Sequence, residues 1–137
     1  MRRLLLLILI VLPHAVQAEV RQLDNGGLRQ AIADGIPVID IRREEEWRQT
    51  GVIEGSHLLT FFDREGNYDV DGWLAELRKI VGPGDPVILL CRTGNRTTAV
   101  SNFLDGEVGQ KQVYNATHGI TRWISDGHPV VAWPAGR

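Results

Sequence analysis

Cys91 is the only cysteine in 137 residues, and it heads the run Cys91-Arg92-Thr93-Gly94-Asn95-Arg96-Thr97. A thiol with two arginines and a turn-forming glycine close behind it has the makings of a nucleophile set in an anion cradle. Gly94 permits a tight turn of positive φ. A helix starting near Asn95 or Thr97 would add inward backbone N–H groups and the positive end of its dipole. Surroundings of this kind favour thiolate over thiol, and the thiolate is the nucleophilic form. Arg92, Thr93, Gly94, Asn95 and Arg96 are therefore the candidate substrate-binding residues around a catalytic Cys91. The alternative is an inert cysteine packed as a small hydrophobe, with the arginines in surface ion pairs. One cysteine makes no intramolecular disulfide, and four histidines with scattered carboxylates form no recognisable metal set, so neither metal nor cofactor is expected.

A second group of candidates lies at Asp40-Ile41-Arg42. Arg42 could steer an anionic substrate, or it could pair with Asp40 and tie a strand end to a neighbouring loop. His118 lies in a loop before a helix and reads as a solvated histidine, with substrate contact as the alternative. His57 and His128 read as packing or surface residues. Trp47, Trp73 and Trp123 fall on helical faces and read as core. Glu44-Glu45-Glu46 suits the first turn of a helix through the dipole and calls for no ligand.

The elements that must hold these residues follow from periodicity. Residues 37–41 and 85–90 are short apolar runs entered by proline and read as strands buried on both faces. Weaker strands are expected at 56–59 and 111–114. Helical patterns cover 23–33, 44–49, 70–81, 97–104 and 120–126. The pattern is clearest from Trp73, because Trp73, Leu74, Leu77, Ile80 and Val81 share one face and Gly82-Pro83-Gly84 then stops the helix. Alternation of strands and helices implies a mostly parallel sheet covered on both faces, an α/β fold in a single domain. Ligands of such sheets gather at the carboxyl ends of the strands, where both the Asp40 and the Cys91 segments lie.

The first eighteen residues read differently. Arg2-Arg3, the unbroken aliphatic run Leu4 to Leu12, Pro13 and then Val16-Gln17-Ala18 make a secretory signal at 1–18, with the domain at 19–137. The apolar run is far short of the ~20 residues a membrane span needs. Cleavage after Ala18 removes two of 15 basic residues and leaves 119 residues with 13 basic against 17 acidic side chains, a net −4. The expected location is periplasmic or secreted, with no stable membrane association after cleavage. A mildly acidic chain offers no global field for nucleic acid.

The residues now converge on a family. Cys91 to Thr97 resembles the C-x-x-G-x-R-S/T loop of rhodanese-domain sulfurtransferases. Val38-Ile39-Asp40-Ile41-Arg42, Glu45-Glu46-Trp47 and Gly51-Val52-Ile53-Glu54-Gly55-Ser56 are similar to its V-I-D-V-R, E-E-F/W and G-H-I-x-G-A stretch. The run from Asn115 through His118-Gly119 and Trp123 to Gly127-His128-Pro129-Val130 is similar to its closing G-G-x-x-x-W…G-x-P-V. Val52, Ser56 and His118 stand where the family more often has His, Ala and Gly. The resemblance implies a five-stranded parallel sheet flanked by helices. It also implies that Cys91 carries sulfane sulfur as a persulfide, taken from a small anionic donor such as thiosulfate and passed to cyanide, a thiol or a protein acceptor, with amides of residues 92–96 around it. Six residues from Cys91 to Arg96 give C-x4-R, one short of the C-x5-R loop of related phosphatases and arsenate reductases. The competing readings are a non-catalytic module that binds sulfane sulfur or an anion and, beyond it, a phosphatase or arsenate reductase.

Overall fold

The computed structural model describes residues 19–134, so the signal segment at 1–18 lies outside the described residues. Five strands and five α-helices alternate: β1 (Arg21–Leu23), α1 (Asn25–Ala33), β2 (Val38–Asp40), α2 (Glu44–Thr50), β3 (His57–Leu58), α3 (Val70–Leu77), β4 (Val87–Leu90), α4 (Asn95–Phe103), β5 (Val113–Ala116) and α5 (Gly119–Ser125). The strands form one sheet in the order β1-β5-β4-β2-β3, and every pairing is parallel. This is the parallel α/β architecture expected from the residue pattern, with the five strands that the family resemblance implied. No helix of the described residues is long and apolar enough to cross a membrane.

Side-chain alternation along β4 divides the core in two. Val87, Leu89 and Cys91 point to one face, where they pack with Ile39, Ile41, Phe61, Trp73, Leu77, Val100 and Leu104. Ile88 and Leu90 point to the other, against Leu28, Val38, Ile53, Ala116, Ile120 and Trp123. All four β4 residues are fully buried, and at about 1.5–3 kcal/mol for each buried aliphatic side chain the central strand anchors everything at its carboxyl end. The three tryptophans read as core are buried as expected.

Local chemistry sets the boundaries. Asp24 caps α1 by accepting from the Gly27 N–H at 2.8 Å, and Asp69 caps α3 by accepting from Gly72 at 3.1 Å. The Trp73 indole N–H donates to the Leu59 carbonyl at 3.0 Å and fastens the β3–α3 connection to α3. Helix α3 ends at Leu77, four residues short of the expected limit, and α4 runs on into a π-helical turn over Leu104–Val108. The last strand is displaced two residues along the chain, to Val113–Ala116. Strand β1 is a strand that the residue pattern does not show, and its last residue, Leu23, falls in the first helical pattern. Its residues are mostly exposed, with no alternation, and only pairing with β5 makes it a strand.

Candidate functional site

Cys91 follows β4 directly, so its position is dictated by the most deeply buried strand of the sheet. The loop then turns through Gly94, whose φ of +94° makes it the left-handed N-cap of α4. A methyl group on Gly94 would collide with the Thr117 carbonyl, and one on Gly119 (φ +62°) would collide with the backbone of Arg92 and Thr93. The Cys91 loop and the β5–α5 turn are thus pressed together backbone on backbone. Two hydrogen bonds lock the contact: the Ile120 N–H donates to the Cys91 carbonyl at 2.9 Å and the Thr121 N–H to the Arg92 carbonyl at 3.1 Å.

That lock aims the amides. A trans peptide points its C=O and N–H in opposite directions, so turning the Cys91 and Arg92 carbonyls toward α5 turns the Arg92 and Thr93 N–H groups away from it, toward the interior of the loop. The Gly94 carbonyl accepts from the Thr97 hydroxyl, the Thr98 hydroxyl and the Thr98 N–H at 3.1, 2.8 and 3.0 Å, which likewise turns the Asn95 N–H inward. Cys91 itself is buried, at 1% exposure. Its Sγ accepts from the Gly94 N–H at 3.2 Å and lies 3.4 Å from the Thr97 hydroxyl. The sulfur is thus held by an N–H, beside a hydroxyl and at the N-terminus of a nine-residue helix. The arrangement keeps the sulfur within hydrogen-bond reach of the Gly94 N–H and the Thr97 hydroxyl.

The structure brings Cys91, Arg92, Thr93, Gly94, Asn95 and Arg96 together as one loop, but the two arginines differ. Arg92 is exposed and enters none of the ion pairs among the described residues. Arg96 donates both terminal nitrogens to Glu46, Nη2 to Oε1 at 2.7 Å and Nη1 to Oε2 at 2.8 Å. Its charge is compensated, which corrects the expectation of two free cations in the cradle. Glu46 is the site residue that the chain pattern did not reveal. The acidic run in the first turn of α2 fits the helix dipole, and only the folded chain shows that its third member is a partner of Arg96. A signal existed in the family-like E-E-W block beside the R of the loop.

Glu46 is rigidly presented. Its Oε2 also accepts from the Arg43 N–H at 3.0 Å. Burial pushes its carboxyl up, but hydrogen bonds from Arg96 and the Arg43 backbone, with the charges of both arginines, outweigh that and hold it at about 2, below its ordinary 4.5. Its contribution to stability is therefore present in full above pH 4.5 and lost as the pH falls through about 2. With its side chain 10% exposed and Arg96 at 23%, Glu46→Ala is expected to cost about 1–3 kcal/mol at pH 7. Urea unfolding of both proteins from pH 7 to pH 2 should show the gap closing below pH 4.5, and a variant as stable as the parent at pH 7 would refute the pairing.

Arg42, the candidate for steering, is a structural strut instead. It is fully buried. Its Nε donates to Asp40 Oδ1 at 2.9 Å and Nη2 to Asp40 Oδ2 at 2.6 Å, while the remaining donors reach Thr50 Oγ1 at 2.8 Å, the Gly51 carbonyl at 3.0 Å and the Glu46 carbonyl at 3.4 Å. With five N–H donors in a guanidinium, none is left for an anion. The Asp40–Arg42 pair joins the end of β2 to α2, and so holds the helix that carries Glu46. His118 is exposed at the start of α5, and His57 is exposed on β3. His128 packs on Trp123 with ring centroids 4.4 Å apart. Among the described residues no cluster of metal-ligating side chains occurs.

Solved structures share this fold. A rhodanese-related protein from Thermoplasma volcanium is 26% identical, with a TM-score of 0.61 over 81% of this chain and 97% of that one. Rv0390 from M. tuberculosis is also 26% identical, with a TM-score of 0.67 over 80% and 96%. The polysulfide-sulfur transferase homodimer from Wolinella succinogenes, at 21% identity, shares the fold with a TM-score of 0.64 over 84% and 80%. No curated protein matches the chain. The family model for the rhodanese-like domain matches residues 19–126, the span that holds all five strands and the Cys91 loop, and the chain belongs to the rhodanese-like domain family.

Proposed function

We propose that this protein is a sulfurtransferase that moves sulfane sulfur through a persulfide on Cys91. The observation that carries the reading is the Cys91 sulfur at the base of a six-residue loop, hydrogen-bonded by the Gly94 N–H at 3.2 Å. In the first half-reaction the Cys91 thiolate attacks the outer sulfur of thiosulfate. A Cys91 S–S bond forms, the donor's S–S bond breaks, and sulfite leaves with the electron pair. In the second, cyanide or a thiolate attacks the terminal sulfur of the persulfide, the S–S bond to Cys91 breaks, and the thiolate is regenerated. The inward amides bear the negative charge of the persulfide, and exposed Arg92 faces the arriving anion.

The same features weigh against phosphoryl or arsenate chemistry. The loop is short for three oxygens around a central atom, and Glu46 neutralises the arginine that would have to balance a dianion. A non-catalytic sulfur-binding role differs from the proposal only in the second half-reaction. Incubation with thiosulfate is expected to add one sulfur atom to the intact mass, and cyanide to remove it with release of thiocyanate. A persulfide that no acceptor discharges would leave the binding role, and no mass gain with thiosulfate or polysulfide would refute both. We further infer that the chain works outside the cytoplasm. The support is the charged, apolar and small-residue order of residues 1–18, and an exported chain should begin at Glu19 on N-terminal sequencing.

A further inference from the structure

An apolar groove of about 320 Å³ runs along one flank of α4, between Phe61, Phe62, Tyr68 and Val70 on one wall and Ala99 and Phe103 on the other. Tyr68 is 60% exposed, yet its ring stacks on Phe61 at 5.5 Å and meets Phe62 edge-on at 5.6 Å. The wall is thus preformed and open to solvent, of a size to take one large apolar side chain.

The two segments that supply most of the groove carry acidic side chains only, with Arg78 reaching the far end of the second at Gln110. Neither segment that supplies most of it, residues 65–77 and 97–110, contains a lysine or arginine, whereas Glu65, Asp69, Asp71, Glu76, Asp105 and Glu107 fall within them. Of these only Glu76 has a cation, Lys79, and the adjoining Arg64 is drawn away to Glu45 at 3.2 Å. Glu107 lines the groove itself. An acidic border repels a small anionic donor, whose approach is left to the Arg92 side of the loop. It attracts a basic chain. Position links the groove to the chemistry. Ala99 and Phe103 lie about 6 and 12 Å along α4 from Asn95, so a chain anchored there reaches the Cys91 loop within a few extended residues at about 3.3 Å each.

We propose that this groove docks the sulfur acceptor, a basic protein segment that seats an aromatic or aliphatic side chain between Tyr68 and Phe103, sets lysines or arginines against the acidic border, and brings a cysteine to the Cys91 persulfide. The proposal rests on the sulfurtransferase reading. The acceptor thiolate attacks the terminal sulfur, the bond from that sulfur to Cys91 breaks, and the products are an acceptor persulfide and the Cys91 thiolate. The probe is a synthetic peptide with two lysines flanking a phenylalanine and a cysteine three residues beyond. It is compared with versions carrying glutamates for the lysines or glycine for the phenylalanine. The lysine–phenylalanine peptide is expected to show a KM about ten-fold below either, with the advantage over the glutamate peptide shrinking in about 0.5 M salt. Glu107→Lys and Ala99→Trp, both at exposed positions, should erase most of that advantage while cyanide turnover stays unchanged. Equal KM values for the three peptides, or a preference that survives Ala99→Trp, would overturn the proposal. So would a dimer in sedimentation that Ala99→Trp dissociates, since the groove would then belong to a second copy. Fluorescence anisotropy of the lysine peptide with serine for cysteine reads docking without any sulfur transfer, so failure of docking and failure of the sulfurtransferase reading are separately visible.

Discussion

Cys91→Ser is expected to abolish persulfide formation and lower sulfur transfer by more than about 10³-fold, a loss of at least ~4 kcal/mol of transition-state stabilisation. A serine hydroxyl becomes a nucleophile only with a base to take its proton. The groups around Sγ are the Gly94 N–H and the Thr97 hydroxyl, and neither serves as one. No second thiol exists to substitute. The fold should persist, because the hydroxyl can keep both hydrogen-bond partners and the change in volume at the end of β4 is small. Intact mass after thiosulfate treatment and steady-state turnover with cyanide measure the effect, with thermal unfolding as the control. Residual turnover above background in a folded variant would place the chemistry elsewhere.

Gly119→Ala is expected to remove most activity without touching a side chain of the loop. A methyl group there would overlap the backbone of Arg92 and Thr93, which cannot rotate aside as a flexible side chain would. The left-handed φ of +62° adds about 1 kcal/mol for any residue with a Cβ. Relief requires the β5–α5 turn to withdraw, which releases the carbonyls of Cys91 and Arg92 and lets the opposite amides swing out of the loop. A misplacement of that kind, about 1 Å, costs on the order of 10²-fold in rate, and the lost contacts about 2–4 kcal/mol in stability. Gly94→Ala meets the Thr117 carbonyl in the same way and should behave alike. Gly84→Ala, with nothing within 4 Å of the added methyl and no positive φ, is the control that should leave both activity and stability near the parent. A fully active Gly119→Ala would mean that backbone apposition does not set the loop.

The prediction on Glu46, made above from pH-dependent unfolding, separates structure from activity in the same spirit. If Glu46 serves to hold Arg96 against α2, Glu46→Gln should retain part of the hydrogen bonding, and lose the acid dependence because an amide does not titrate in that range. The Asp40–Arg42 pair beneath it explains why α2 presents Glu46 in one orientation: Arg42 grips Thr50 Oγ1 and the Gly51 carbonyl at the far end of the same helix.

Much of the architecture was legible in the chain because the signals are local. Proline-entered β-branched runs became β2 and β4, and the 3.6-residue pattern around Trp73 became α3. Cys91, its glycine and its arginines are contiguous, so the candidate loop could be read as one unit and its place at the carboxyl end of a buried strand followed from the alternation of strands and helices. What the linear order did not contain were relations between residues distant in sequence. Strand β1 exists only by pairing with β5, more than ninety positions away. The difference between Arg92 and Arg96, identical in type and four residues apart, arises because Glu46, fifty positions earlier, is delivered to one and not the other. Arg42 could have faced an anion or Asp40, and five donors filled by α2 and its own strand decided for the strut. The inward set of the loop amides depends on Gly119, which packs against Arg92 from 27 positions further along the chain. Composition and spacing determined which chemistry this protein could carry. Only tertiary packing decided which charges are spent on structure and which remain free, because ion pairs and backbone appositions form between elements whose meeting no local pattern encodes.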